Sequence, residues 1–283
     1  MGLATSSGFI LFAKSRLLEP VPSQLKKEKN MSNLYDHPKY YEIAFSFRDI
    51  PAEVDVFEKC FTRFSRIPIK SVLELGCGNC PHMEELINRG YQYNGLDLSK
   101  AMLDYSRQKA LQIGARVNLL HQNMVDFSSG TLVDFVYISL GSLYVRNTSE
   151  FMTHFNSVAR VLRKGGLYLL DWCIQFALPR ENGETWEMER RGIRVKTKVS
   201  WKVIDLVGQI FEESIFLEVN DHGKRHTITG RDVKRSIYPQ EFLHLIDTLK
   251  SFEFVGWWNN WDLSQPLEKV SKVNRPIILV RRV

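Results

Sequence analysis

Val72-Leu73-Glu74-Leu75-Gly76-Cys77-Gly78-Asn79-Cys80, with Asp97 nineteen residues after Gly78, is the stretch that decides how this chain folds. An apolar strand runs into a glycine turn and then a helix, so free backbone N–H groups face a ligand with no Cβ in the way. An acid about twenty positions on, at the tip of the next strand, accepts hydrogen bonds from both hydroxyls of a ribose. The pattern alone also describes a nicotinamide dinucleotide site. Two details tilt the choice away from it. The third glycine of that fingerprint is replaced by Cys80, and Glu74 sits inside the turn.

Outward from the turn, strands and helices alternate. Strands are expected at Ile69–Leu75, Tyr91–Leu96, Val117–His121, Val133–Ile138 and Leu167–Trp172. Between them lie a helix from Met83 stopped by Gly90, one from Ser99 to about Ile113, and one over Glu150–Leu162 that ends at Lys164-Gly165-Gly166. Helix Pro239–Leu249 and strands Phe252–Trp258 and Ile277–Val280 complete the set. Residues 31–66 read as helical, with Phe57, Cys60, Phe61 and Phe64 on one face. The expected class is therefore α/β: a Rossmann-like, mostly parallel seven-stranded sheet with helices on both faces.

Around residue 180 the period changes. Ile193, Val195, Thr197, Val199, Trp201 and Val203 alternate with Arg194, Lys196, Lys198, Ser200 and Lys202, which reads as antiparallel strands with one wet face. Ile210–Val219, the turn Asp221-His222-Gly223-Lys224 and Thr227–Lys234 continue it. Residues 31–175 and 236–283 are thus expected to form the core, with 176–235 inserted as an antiparallel β lid before the last helix.

The 283 residues are 44% hydrophobic and 25% charged, enough for a substantial core without disulfides. Of the net charge of +6, half sits in residues 1–30, and elsewhere both signs are interspersed. Nucleic-acid binding is not expected, because it needs a clustered basic face. No apolar run is long enough to span a membrane. Four scattered cysteines fit a reducing, cytoplasmic setting. Met1-Gly2-Leu3-Ala4-Thr5-Ser6 fits the loose myristoylation pattern, whereas the charges follow the apolar run Gly8–Ala13, so a secretory signal fits poorly. Residues 1–30 read as a flexible leader, with Met31 an alternative start.

The order of segments resembles the class I S-adenosylmethionine-dependent methyltransferases. Their acidic-x-Gly-x-Gly motif matches Glu74-Leu75-Gly76-Cys77-Gly78, and their ribose-binding acid matches Asp97, with Leu98 beside it. Asn123-Met124 stands where they carry an adenine-binding Asp-Met pair, and Arg163-Lys164-Gly165-Gly166 matches their turn before the fifth strand. The resemblance covers roughly residues 35–283 and implies S-adenosyl-L-methionine as cofactor, a sulfonium amino acid with no pyrophosphate to cradle. Asn123 departs from the usual Asp, although its amide oxygen still accepts from the adenine amine.

The layout is most similar to small-molecule members such as deoxyamino-sugar N-methyltransferases and glycine N-methyltransferase-like enzymes. That resemblance implies a small-molecule acceptor, nitrogen ahead of oxygen. It also implies Arg48 paired with the methionine carboxylate, with Tyr41 closing over the same end. The plain alternatives are a surface Arg48 paired with Asp49 and a Tyr41 that only packs its helix. Ser139 to Tyr144, after the fourth strand, is expected to face the transferred methyl, with Tyr144 the candidate for acceptor contact and a core tyrosine its alternative. All six tryptophans follow residue 170; Trp172 is expected over the pocket, while packing accounts for most of the others. Cys77 and Cys80 with His82 make three potential zinc ligands without a fourth, so no metal is expected, and a thioredoxin-like C-x-x-C reading is the minor one. Protein or RNA methylation is the alternative enzyme function, and a non-catalytic scaffold the alternative outside catalysis.

Overall fold

Ser71–Leu75 (β1) is buried at every residue, as a strand covered on both faces must be. Leu73 and Leu75 point into one core, and Val72 into the other. The computed structural model describes residues 33–177 and 183–283. Around β1 stand Gln92–Asp97 (β2), Asn118–His121 (β3), Val133–Ile138 (β4) and Leu162–Asp171 (β5). A second sheet is built from Glu184–Arg190 (β6), Ile193–Asp205 (β7), Ile210–Asp221 (β8) and Lys224–Arg235 (β9). Phe252–Trp258 (β10) and Ile277–Arg282 (β11) return to the first.

The main sheet is seven-stranded, ordered β10-β11-β5-β4-β1-β2-β3. Strands β1 to β5 pair in parallel, and β11 lies antiparallel between β5 and β10. This is the expected mostly parallel architecture. Helices Pro38–Ala44 (α1), Ile50–Phe64 (α2), Met83–Asn88 (α3), Lys100–Gln112 (α4), Thr148–Val161 (α5) and Pro239–Leu249 (α6) follow chain order. Phe57 and Cys60 of α2, Met83 of α3 and Leu103 of α4 cover one face of the sheet; Phe151 and Phe155 of α5 and Phe242 of α6 cover the other.

Three sequence expectations are corrected. The helical reading of residues 31–66 breaks between Ala44 and Ile50, because Asp49 caps α2 through Ala52 N (3.1 Å) and Pro51 belongs in a first turn. The fifth strand starts at Leu162 and runs through Lys164-Gly165-Gly166 without stopping. Strand β6 was not expected, since its Glu184-Thr185-Trp186-Glu187-Met188-Glu189-Arg190 is mostly exposed and polar, as an edge strand is.

The inserted sheet is antiparallel throughout, ordered β6-β7-β8-β9. Its apolar face, with Ile193, Val195, Val199, Ile215, Leu217, Val219 and Ile228, is covered by Ile43 and Ala44 of α1 and by fully buried Leu34. Leu34 comes so near that a Cβ at Gly230 would lie 2.7 Å from its own Cβ, so only glycine fits there. The expected leader (residues 1–30) and residues 178–182 at the start of the insertion lie outside the described residues. Among the described residues no helix is long and apolar enough to cross a membrane.

Candidate active site

The turn after β1 takes backbone angles that favour glycine, with φ of +63° at Gly76 and +50° at Gly78. A Cβ at Gly76 would meet Met124 Cε at 3.0 Å and Ser142 Cβ at 3.5 Å, so the turn is a cradle a side chain would fill. The amide of Gly78 donates to Asp97 Oδ2 (2.8 Å) and that of Ser99 to Oδ1 (2.7 Å). Each carboxylate oxygen accepts at two lone-pair sites, so each oxygen of Asp97 keeps acceptor capacity beyond its one backbone amide. Burial raises this carboxyl above its ordinary value, against the pull of the Ser99 and Gly78 amides.

A cleft of about 660 Å³ opens beside the turn. Gly76 and Gly78 form its floor, Tyr41 and Arg48 one wall, and Ser139, Leu140 and Ser142 after β4 the other. A wider groove of about 970 Å³ lies by Ser71, Gln92 and Val133, at the N-terminal ends of the strands, away from the turn. Ligands of such sheets bind at the opposite, C-terminal edge.

Arg48 is not the surface arginine of the plain reading. Its side chain is 3% exposed and forks onto Glu53, from Nε to Oε1 (3.1 Å) and from Nη2 to Oε2. Asp49 is spent capping α2. Nη2 also lies 3.0 Å from His82 Nε2, while Nη1 bonds to no described residue and Arg48 lines the cleft. Burial alone would raise the Glu53 carboxyl; hydrogen bonds from His82 and Arg48 hold it far below the usual carboxylate range.

Glu74 does not reach the cleft. It is 1% exposed beneath the turn, within hydrogen-bond distance of Tyr93 Oη (2.6 Å), Tyr137 Oη (3.0 Å), Ser139 Oγ (3.4 Å) and His82 Nδ1 (3.3 Å). Its four partners consume its acceptor capacity, so it braces the turn from below instead of touching a ligand. Ser139 stands between this brace and the cleft that it lines.

The remaining cofactor candidates, Leu98, Asn123 and Met124, follow Asp97 in lying beside the cleft and not among the residues that line it. Leu98 is 68% exposed beside Asp97, an apolar surface open to a ring. Asn123 is exposed, and its Oδ1 accepts from Val125 N (2.9 Å), which leaves one lone pair and the amide N–H groups. Met124 leans on Gly76, and its carbonyl is 2.7 Å from Nδ1 of buried His154, whose Nε2 is 2.7 Å from Tyr168 Oη. Burial depresses the His154 pKa to about 4, so the ring is neutral at pH 7.

Tyr144 belongs to a polar group that sequence reading missed. Its hydroxyl donates to Glu213 Oε2 (3.2 Å) and lies 3.4 Å from Tyr35 Oη, which donates to Asp232 Oδ2 (3.0 Å). Lys234 Nζ donates to Glu213 Oε1 (3.2 Å) and to the Gly141 carbonyl (3.1 Å), and Trp201 Nε1 donates to Glu213 Oε1 (2.9 Å). Burial, then Tyr35, Glu213 and Asp232, raises the Tyr144 phenol well above its ordinary value, so it donates and does not act as a base. Burial also raises Asp232. Tyr41 joins this group to the cleft that it lines, because its ring lies 6.0 Å from that of Tyr35; burial raises its phenol above the ordinary value. The signal was present in sequence: Glu213 interrupts the inward set Phe211, Ile215, Leu217 and Val219, and Asp232 extends the set of Ile228 and Gly230.

The tryptophans do not converge into a cage. Trp172 is 40% exposed and does not line the cleft, contrary to expectation. Trp186 donates to Ala44 O, Trp257 to Glu268 and Trp261 to Asp171, each tying elements together. Cys77 and Cys80 are buried in the turn. Among the described residues no three His, Cys, Asp or Glu side chains are grouped to hold a metal ion.

Residues 72–166 match the family model described as a methyltransferase domain. A putative methyltransferase of Geobacillus sp. strain WCH70 is 30% identical over 115 residues, 40% of this chain and 47% of that one. The chain spans about half the length of the first curated relatives it matches. A dTDP-3-amino-3,4,6-trideoxy-alpha-D-glucopyranose N,N-dimethyltransferase of Streptomyces venezuelae is 26% identical over 67% of this chain and 78% of its own. The crystal structure of Streptomyces venezuelae DesVI superposes with a TM-score of 0.69 over 87% of this chain and 98% of that one; at 17% identity this speaks to the fold. The matched residues hold the glycine turn that lines the cleft and the Asp97 carboxylate bonded to it, so residues 72–166 are similar to a methyltransferase domain, in a fold shared with solved S-adenosylmethionine-dependent methyltransferases.

Proposed function

We propose that this protein methylates a small molecule, on nitrogen in preference to oxygen, using S-adenosylmethionine. The observation that carries the reading is the pairing of two chemistries about the Tyr41–Tyr35 ring pair: Tyr41 lines the cleft with the glycine turn to which Asp97 is bonded, and Tyr35, its ring 6.0 Å away, holds Asp232. On the donor side, Asp97 would take the ribose hydroxyls, Leu98, Asn123 and Met124 the adenine, and Arg48 Nη1 and Tyr41 the amino-acid end. The Gly76 cradle, which a Cβ would fill, suits a ligand lying against the backbone.

When bound, the donor supplies a methyl group already activated on a sulfonium. Alignment and exclusion of water then matter most, and positioning of this kind is worth about 7–11 kcal/mol. An amine arrives largely protonated at neutral pH and must shed a proton to expose its lone pair. Asp232, whose carboxyl is raised by burial, is suited to hold the ammonium and take that proton, with Tyr35 as the donor that orients it and Tyr144 held beside Tyr35 by Glu213. Lys234 partly neutralises Glu213, which leaves Asp232 the less compensated acid.

The cleft of about 660 Å³, in the range of small-ligand pockets, suits the donor. Relatives named as sugar N-methyltransferases make amino sugars the first acceptors to try. The test is calorimetric titration with S-adenosylmethionine, followed by mass spectrometry of an amino-sugar and amine panel for gain of a methyl group. Absence of donor binding would sink the reading; transfer only to peptide or RNA would overturn the small-molecule assignment.

A further inference from the structure

We infer that Arg275 positions Arg48 for the carboxylate end of the donor, by tying the two walls of the cleft together through Glu53 and Asp171. The inference rests on the S-adenosylmethionine reading above. Arg275 lies just before β11, 222 residues from Glu53 and 104 from Asp171 in sequence. Each of its three guanidinium nitrogens donates one hydrogen bond. Nη1 donates to Glu53 Oε1 (2.8 Å), Nε to Asp171 Oδ1 (3.0 Å) and Nη2 to Asp171 Oδ2 (2.6 Å), and the group lies 4.9 Å from the centre of the Trp261 ring.

Each end of this tie governs one wall. Glu53 is the carboxylate onto which Arg48 forks, and Oε1 is shared between the two guanidiniums. Two cations drawing on one carboxylate leave each less neutralised than a closed one-to-one pair would. Arg275 therefore keeps Arg48 from being wholly satisfied by Glu53, and it fixes the fork so that Nη1 stays on the cleft side. At the other end, fully buried Asp171 accepts from Leu140 N (2.8 Å), and Leu140, at φ +53°, lines the opposite wall. Loss of Arg275 would free both grips at once.

Arg275 touches no ligand in this scheme, so the test must separate positioning from general support. S-adenosylhomocysteine and 5′-methylthioadenosine share the adenosine and the thioether, and only the first carries the amino-acid end. Both are titrated by calorimetry into the wild type, Arg275→Gln and Arg275→Gln/Asp171→Asn. The double variant removes a charge pair instead of stranding a buried charge, so it guards against a single variant that does not fold. The expected result is S-adenosylhomocysteine weakened roughly 10- to 100-fold, the span of one charge-assisted hydrogen bond, with 5′-methylthioadenosine binding unchanged. Parallel weakening of both ligands, or undiminished S-adenosylhomocysteine affinity, overturns the inference. A wild type that binds neither ligand fails the donor reading itself, a separate outcome.

Discussion

Asp97 accepts the backbone N–H of Gly78 at 2.8 Å, so the acid at the tip of β2 and the turn after β1 are one unit. With Ser99 N on its other oxygen, the carboxylate is aimed by the backbone before any ligand arrives. Asn at this position has one acceptor oxygen for two amides. Asp97→Asn is expected to weaken S-adenosylmethionine roughly 10- to 100-fold, the cost of a lost hydrogen bond to a charged group, and Asp97→Ala to abolish measurable binding. Calorimetry on folded variants checks both, and unchanged affinity in Asp97→Ala would refute the ribose role.

Gly76 offers a steric test of the same cradle. Alanine would have to hold φ near +63° and push its Cβ to 3.0 Å from Met124 Cε. The left-handed conformation costs about 1–2 kcal/mol, which a melting experiment reads as a modest fall in Tm. Because the methyl group also displaces Met124, donor affinity is expected to fall at least roughly tenfold, more than a strain of 1–2 kcal/mol spread over the whole fold explains.

His154 links pH to stability. It is fully buried between Met124 O and Tyr168 Oη, and burial pushes its pKa down to about 4 from the ordinary 6.5. The unfolded chain takes up a proton below about pH 6.5 and the native ring does not, so stability is full above that value and falls as pH drops towards 4. The loss approaches roughly 3 kcal/mol at about 1.4 kcal/mol per unit. Urea denaturation between pH 7.5 and 4.5 should show this slope in the wild type and lose its His154 component in His154→Gln.

Asp232→Asn separates acceptor from donor. The amide still accepts from Tyr35 but carries no charge for an ammonium. Donor affinity should stay at the wild-type value while kcat/KM for an amine acceptor falls about 100-fold, the lower range for losing a proton-transfer group. An equal loss of donor binding would place Asp232 in the packing of the inserted sheet instead.

Much of the core was legible in the residues. The glycine turn, the run of Val72 to Leu75 and the resumption at Pro239 each carry their own local pattern, because strand and helix periods are written over neighbouring residues. The break at Asp49–Pro51 was legible too, in a cap and a proline, yet the apolar spacing of α2 masked it. Strand β6 was not, since an exposed edge has no buried face to impose alternation.

What the sequence by itself determined is the alternating α/β order, the cradle at Gly76–Gly78 and the acid at Asp97, all local in kind. Only the tertiary structure decided that Glu74 braces the turn from below, that Arg48 answers to Glu53 and not Asp49, and that Leu34 and α1 form the core of the inserted sheet. Only the tertiary structure, too, brought Tyr35, Tyr144, Glu213 and Asp232 together. Such groupings join positions up to 222 residues apart. A buried charge takes whichever partner the packing brings within reach, and nothing in the residues beside it names that partner.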